Sequence, residues 1–494
     1  MFIGIDLGTS SVKTILIDEN QNTLASKTEL ISIENPQNGY YEQDPDQWYE
    51  ATVRCFDFLK KEKPREFAET LALSISGQMH GATLLDKEGK ILRSCILWND
   101  TRSSKECDEM EKKCSNLREI SGNIAMPGFT APKVLWVKNN EPDVFKEIDK
   151  VLLPKDYLRY RLSGEFVTDT SDASGTLWLD VQKRNWSEEL LESTSLNIKH
   201  MPRIVEGSEQ SATISKLIKD QFGFSHHVII AGGAGDQAAG AAGSGVINSS
   251  QAVLSLGTSG VYFSPTSKFS SNTRKAVHSF CHCLPNTWHH MSVMLSAANC
   301  MDWVSGMYGI SIEDFYKIVG DFSNDITNIK NAPFFLPYLS GERTPHNNAF
   351  IRAGFHSITT SSSKAGMLYA LLEGVTFGLK DGFEAVNEIN EKTDETYVVG
   401  GGAKSETWLK LLSSAINTQI IQGEDSNLGP SLGVARLAMI STGKFDQENV
   451  MKKIHAQKII NTSSQLVDIL NKRYEVWSQI ISANLKIAKN IINH

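Results

Sequence analysis

The sequence predicts an α/β chain of two similar domains facing one another. Three observations support this: the length of 494 residues, a short phrase that occurs twice, and a strand, glycine turn and helix in each half. One hydrophobic core seldom organises a chain this long, so two large domains are expected. The phrase is Leu-Gly-Thr-Ser, at Leu7–Ser10 and again at Leu256–Ser259, flanked each time by strand-like runs. The two copies stand 249 residues apart, about half the chain, as tandem copies of one domain would.

Taken in order, Phe2–Ile5 reads as a strand, Asp6–Ser11 as a tight polar turn and Val12–Ile17 as a returning strand; Asp18–Asn22 is a second turn before a third strand at Thr23. Residues 35–200 are surplus to the repeat, rich in aromatic and polar groups, and include Gly77–Gly81 and Trp98–Arg102. Such residues read polyols by hydrogen bonding and stacking, although Trp98 as a core residue and Arg102 as a surface ion-pair member is the plainer expectation. Val228–Ala231, Gly232–Gly235 and Asp236–Gln237 form a strand, a turn and a helix start. In the second half Ala252–Ser255 and Val261–Phe263 flank the repeated turn. Tyr397–Val399, Gly400–Gly402 and a capping Ser405 repeat the strand, turn and helix. Leu466, Ile469, Leu470 and Trp477 lie at helical spacing. The expected division is 1–246, 247–455 and a helical segment 456–494.

A net charge of -8 and the lack of a Lys/Arg block argue against nucleic acid. No apolar run approaches a membrane span, so no membrane partner is expected and the location is read as cytoplasmic. Seven scattered cysteines suit reduced thiols rather than a disulfide scaffold. Cys281 and Cys283 sit near His278, His282, His289 and His290. Cys-x-Cys in an alternating run puts both sulfurs on one strand face with no second Cys pair to follow, which argues against zinc.

Neither a Gly-x-x-x-x-Gly-Lys-Ser/Thr phosphate loop nor a credible Gly-x-Gly-x-x-Gly dinucleotide loop is present. The two Gly-Thr-Ser turns instead offer backbone N–H groups and hydroxyls that could clamp a polyphosphate from both sides; a plain β-turn is the alternative for either alone. Asp6 precedes the first turn and Ser255 stands at its equivalent in the second, so one half alone offers a carboxylate for magnesium. Asp236, after its glycine turn, is the candidate catalytic base, against the alternative of an N-cap.

The order Asp6-x-Gly8-Thr9-Ser10, Gly235-Asp236-Gln237, Gly257-Thr258-Ser259 and Gly401-Gly402-Ala403 resembles the FGGY carbohydrate kinases over nearly the whole chain. Pro127–Asn139, with Gly128, Thr130, Lys133 and Trp136, resembles that family's first signature; Gly354–Glu373 matches the second loosely, with Ser357 where glycine is expected. The strings Gly77–Gly81, Ile96–Asp100, Leu153–Tyr157 and Phe335–His346 are similar to the members that act on ketopentoses. The resemblance implies two actin-like, ribonuclease-H-like ATPase domains with a central cleft. It also implies ATP as co-substrate with Mg held through Asp6, and D-xylulose phosphorylated at its 5-hydroxyl with Asp236 as base. The implied sugar contacts are Gln78, Met79, His80, Trp98, Asn99, Asp236 and Gln237; the implied ATP contacts are Gly8, Thr9, Ser10, Lys13, Gly257, Thr258, Gly401, Gly402 and Ala403. Another ketose or polyol (ribulose, fuculose, glycerol) and an actin-like ATPase switch are the competing readings, and self-association into a homodimer is left open.

Overall fold

The computed structural model describes residues 1–391, 393–423 and 429–492. Two seven-stranded sheets organise it. The first contains β1 (Phe2–Leu7), β2 (Ser11–Ile17), β3 (Thr23–Leu30), β4 (Ala72–Gly77), β5 (Gln210–Thr213), β6 (Ile229–Ala231) and the short β7 (Ala234–Gly235). Its order is β5-β6-β4-β1-β2-β3, with β7 also on β4. The second contains β8 (Gln251–Leu256), β9 (Gly260–Thr266), β10 (His278–Cys281), β11 (Trp288–Met294), β12 (Glu395–Val399), β13 (Gln419–Gly423) and β14 (Ala456–Ile460), in the order β10-β11-β9-β8-β12-β13-β14.

The duplication is complete in the pairing. β1 runs antiparallel to β2 and parallel to β4, as β8 does to β9 and β12. Farther out, β4 and β6 are parallel and β6 meets β5 antiparallel, matching β12, β13 and β14. Near-continuous apolar runs such as Phe2–Ile5 are what a parallel centre covered on both faces demands. This register corrects one expectation. The strand before Gly400 is equivalent to β4, not to the strand before Asp236, because strand–glycine–helix recurs at every crossover and local pattern cannot say which crossover it is.

The helices used below are α1 (Asp46–Glu62), α2 (Thr130–Asn140), α3 (Pro154–Ser163), α4 (Thr170–Ser174), α5 (Asp236–Ser244), α6 (Ala298–Tyr308), α7 (Lys364–Asn387), α8 (Glu406–Ile416), α9 (Gly429–Ser441) and α10 (Ser464–Ile492). Residues 78–209, between β4 and β5, carry α2, α3 and α4 and form the surplus of the first half.

Although α9 follows the second sheet's β13, it packs on β1 and β4 of the first sheet and along α5. Leu432, Ala435, Ala438 and Met439 thereby share one apolar cluster with Phe2, Ile15, Ile17 and Ala72. The approach is close enough to require glycine: a Cβ on Gly433 would stand 1.8 Å from the Ala239 carbonyl oxygen.

The carboxyl-terminal segment departs from expectation at its start. Residues 456–460 form strand β14, and the helix begins only at Ser464. Four of the five β14 residues are exposed, so this edge strand carries no apolar alternation to betray it. Leu470 and Trp477 are buried on the inner face of α10. Arg473 pins that helix, reaching both Glu373 oxygens on α7 at 2.7 and 2.6 Å.

Candidate active site

The loops at Gly8, Gln78 and Asp236 leave the carboxyl ends of parallel strands, the edge at which open α/β sheets bind ligands, whereas the Trp98 stretch follows a short antiparallel pair, Glu42–Gln43 with Cys95–Ile96. β1 ends at Asp6-Leu7 and opens into Gly8-Thr9-Ser10, where the Gly8 N–H donates to the Ser11 carbonyl at 2.9 Å. Among the described residues no hydrogen bond uses the Thr9 or Ser10 N–H. The Thr9 hydroxyl accepts from the Trp98 indole at 3.0 Å, and its carbonyl accepts from the Gln43 amide at 2.7 Å. Trp98 is 38% exposed rather than core, whereas Arg102 is buried between Asp100 and Glu42 and stacked on Tyr40, the reverse of the plainer expectation for that stretch. Gln78 is buried and donates to Gln43 at 2.8 Å, which sets it behind the Thr9 turn. The neighbouring Asn99 has a buried carbonyl oxygen with no partner among the described residues.

Asp6 accepts from the Ser76 hydroxyl of β4 at 2.8 Å and lies opposite Lys13 across the β1–β2 hairpin. Burial raises its carboxyl above the usual range; the Ser76 hydrogen bond and the Lys13 charge oppose this. Asp236, the first residue of α5, shares the same field. Burial, followed by the Asp6 charge, pushes its pKa up to about 7, while the Gln237 amides next to it pull down.

The turn that presents Asp236 rests on a buried ionic cluster. The Gly235 N–H donates to the Ser171 hydroxyl at 3.2 Å, which in turn donates to Asp169 at 2.5 Å. Asp169 pairs with Lys155 at 2.8 Å, Lys155 with Asp156 at 2.5 Å, and Arg159 with Asp156 at 2.8 Å and with the Gly232 carbonyl. All are fully buried. Asp172 also lies in the cluster, 3.4 Å from Lys155, and burial holds its carboxyl well above the usual range. Breaking such a network costs more than an exposed pair would, and the Gly232–Asp236 backbone is fixed by it.

Met79 packs between the Asp236 turn and His80. A Cβ on Gly235 would meet the Met79 sulfur at 2.8 Å, and one on Gly175 would meet both Met79 and the His80 ring. His80 holds the left-handed conformation, φ +72°, uncommon for a residue with a side chain. Three bonds secure it: its carbonyl accepts from Lys133 at 2.8 Å and from Thr130 at 3.0 Å, and its Nδ1 meets the Gly175 carbonyl at 2.6 Å. A carbonyl only accepts, so Nδ1 carries the proton and Nε2 is a bare acceptor. Burial and the Lys133 charge lower the imidazole to about 3, which keeps it neutral.

In the second domain the Gly257 and Thr258 carbonyls accept from the Ala298 and Ala297 N–H groups, tying the repeated turn to the start of α6. Gly400, φ +93°, lies directly against Leu256, where a Cβ would meet the Leu256 carbonyl oxygen at 2.8 Å. A cavity of about 220 Å³ between the domains is lined by Asp236, Gln237, Ser255, Val261, Val399 and Gly400. A second, of about 530 Å³, opens beside Gly401, Lys404 and Tyr316, and Gly402 and Ala403 are buried behind it. Asp236 and the turns at Ser255 and Gly400 therefore border one crevice, although they come from different halves of the chain.

The family model for the amino-terminal domain of the FGGY carbohydrate kinases matches residues 1–243, and that for the carboxyl-terminal domain matches residues 252–442. The chain belongs to the FGGY family of carbohydrate kinases. It is 46% identical to a xylulose kinase of Escherichia coli over 89% of this chain and 90% of that one. It is 41% identical to a xylulose kinase of Klebsiella pneumoniae over 98% and 99%. A solved "xyloylose kinase" from Brucella ovis superposes with a TM-score of 0.94 at 41% identity, covering 97% of this chain and 98% of that one. The kinase thus has the two-domain actin-like fold and uses ATP to phosphorylate a sugar.

Several residues at this kinase's cleft were not singled out from the sequence. Lys133 and Thr130 were legible only as parts of a signature, not as the clamp on His80. The Lys155–Asp156 pair stood inside a quoted string with no role attached, and Asp169, Ser171 and Asp172 carried no local signal. Arg343, from the second domain, is the least expected. Ser357 takes φ +59°, the conformation that makes glycine the common choice at its position in the family signature.

Proposed function

We propose that the kinase transfers the γ-phosphoryl group of ATP to the 5-hydroxyl of D-xylulose in the cytoplasm, giving D-xylulose 5-phosphate and ADP. The observation that carries this reading is the crevice in which Asp236, held by the Ser171–Asp169 relay, faces the Ser255 and Gly400 turns of the second domain. The adenosine is assigned to the cavity at Gly401, beside Gly402 and Ala403. Its phosphates run past Gly257-Thr258 and Gly8-Thr9-Ser10, with Lys13 close by, toward Asp236.

Asp236 accepts the proton of the 5-hydroxyl as that oxygen bonds to the γ-phosphorus and the bond to the leaving ADP oxygen breaks. A carboxylate near neutrality is a serviceable base here, because phosphoryl transfer is loose and asks mainly for positioning. Asp6 suits a hard cation: its oxygens face a site already crowded with negative charge from Asp236, and burial of both raises the cost of leaving that charge uncompensated. Magnesium bound there with the phosphates would neutralise charge developing on the nucleotide. Met79, His80 with its bare Nε2, Gln237, and the Gln78, Trp98 and Asn99 stretch surround the sugar, and approach of the domains keeps water out of the reaction.

The test is an ADP-release assay across D-xylulose, ribulose, fuculose and glycerol with wild-type and Asp236→Asn protein. D-xylulose should give the highest kcat/KM, and D236N should lose roughly 10²- to 10⁴-fold in kcat while retaining sugar and nucleotide binding. Near-normal turnover by D236N would remove Asp236 from the mechanism; preference for another acceptor would replace the sugar; ATP turnover indifferent to sugar would favour a protein switch.

A further inference from the structure

Arg343 crosses from the second domain to the sugar loop of the first. Its backbone is fixed on both sides: Glu342 and Asn348 exchange N–H···O bonds at 2.9 and 2.8 Å, and Glu342 accepts from the Leu295 N–H at 2.9 Å. The Thr344 N–H donates to the Val293 carbonyl at 3.1 Å, and its hydroxyl donates to the Ala276 carbonyl at 2.9 Å. From this braced loop the guanidinium reaches Gly128, where a Cβ would lie 4.0 Å from Nη2 and 2.7 Å from the Trp98 carbonyl oxygen. Burial lowers the His80 and His278 imidazoles, and the Arg343 charge acts on both in the same direction. Among the described residues the guanidinium takes no hydrogen bond, ion pair or aromatic face, and burial is the main influence on it. No Arg343 nitrogen is among the buried unpartnered atoms, so its five donors reach solvent and stand ready for acceptors that a ligand brings into the cleft.

We infer that Arg343 is a specificity-determining residue that donates to the carbonyl oxygen and adjoining hydroxyl at the ketone end of the sugar. This rests on the sugar-kinase reading above. The order along the cleft wall is Asp236, Met79, then His80 with Arg343, so an acceptor hydroxyl at Asp236 leaves the far end of a five-carbon chain at His80 and Arg343. A hydroxymethyl ketone offers one O–H to donate and a carbonyl to accept. His80 Nε2, an acceptor only, and the Arg343 fork, a donor only, match that pair, and a planar fork suits a planar carbonyl better than a tetrahedral alcohol carbon.

The test compares Arg343→Met and Arg343→Lys with wild type on D-xylulose and on xylitol and D-arabinitol, the two pentitols in which the carbonyl is reduced. The pentitols are measured as acceptors or, where they are not turned over, as competitive inhibitors. R343M should lose roughly 10- to 100-fold in kcat/KM for D-xylulose, carried mostly by KM, with a smaller loss on the pentitols, so that the preference for the ketose shrinks; R343K should fall between. Thermal melting checks folding, and R343K with Arg343→Gln carries the comparison if R343M does not fold. Equal losses on ketose and pentitols, no loss on either, or a raised KM for ATP with the sugar unaffected would overturn the inference. If wild type favours another ketose, the sugar named above falls and that ketose replaces D-xylulose in the comparison; a wild type that favours a pentitol overturns the Arg343 assignment.

Discussion

The Asp236 carboxyl is held near 7 first by burial and then by the Asp6 charge, so the folded chain keeps a proton there that the unfolded chain gives up close to 3.8. Between those values the native state binds more protons, and stability falls as pH rises through the window. Asp236→Asn removes that penalty. The apo variant should melt roughly 2–5 °C above wild type at pH 8, with the gap closing toward pH 5. Calorimetry at both pH values checks this, and an equal gap at the two would contradict the assigned cause. The acid limb of wild-type kcat/KM should bend near the same pH, because the ionised form accepts the proton. Asp6, Thr9, Asp236, Thr258 and Gly401 could be named as candidates from the sequence because each sits in a short local phrase whose glycine or hydroxyl has a backbone reason to be there. Arg343 sat inside the Phe335–His346 string with no role attached, because the lack of a protein partner for its guanidinium is a three-dimensional fact; Asp172, 3.4 Å from Lys155, carried no local signal because its cluster is assembled from separate elements.

Glycines at two helices separate packing from propensity. At Gly433 in α9 a Cβ would stand 1.8 Å from the Ala239 carbonyl of α5, whereas at Gly306 in α6 nothing lies within 4 Å. Gly433→Ala should force the α5–α9 crossing apart, costing about 1–3 kcal/mol and lowering kcat, since α5 begins at Asp236. Gly306→Ala should stabilise by roughly 0.5–1 kcal/mol through lost unfolded-state freedom, with activity unchanged. Chemical denaturation of both resolves the contrast, and a destabilised G306A or a neutral G433A would refute it. The central strands were readable for a related reason: β1 and β8 are buried on both faces and spell continuous apolar runs. β14, exposed along most of its length, left only its pairing with β13 to define it, and pairing is a tertiary fact.

Two sheets of the same order, with Asp236 on one side of the crevice and the Ser255 and Gly400 turns on the other, set the cleft between two separately built halves. In the arrangement proposed above sugar and nucleotide touch both sides, which would favour a closer approach of the domains over a more open one. Small-angle scattering should therefore record a smaller radius of gyration with D-xylulose and a non-hydrolysable ATP analogue together than with neither; an unchanged radius would argue for a preset cleft. The duplication was visible from the doubled Leu-Gly-Thr-Ser phrase, but the equivalence of crossovers was not.

The helix α9 has a consequence for the chain while it is being made. Phe2, Ile15, Ile17 and Ala72 are among the first residues to leave the ribosome, yet the side chains that cover them, Leu432, Ala435, Ala438 and Met439, are among the last. During most of synthesis the nascent first sheet presents a bare oily surface, open to holding chaperones and to contact with neighbouring nascent chains. Its final settling waits for the far end of the polypeptide to arrive.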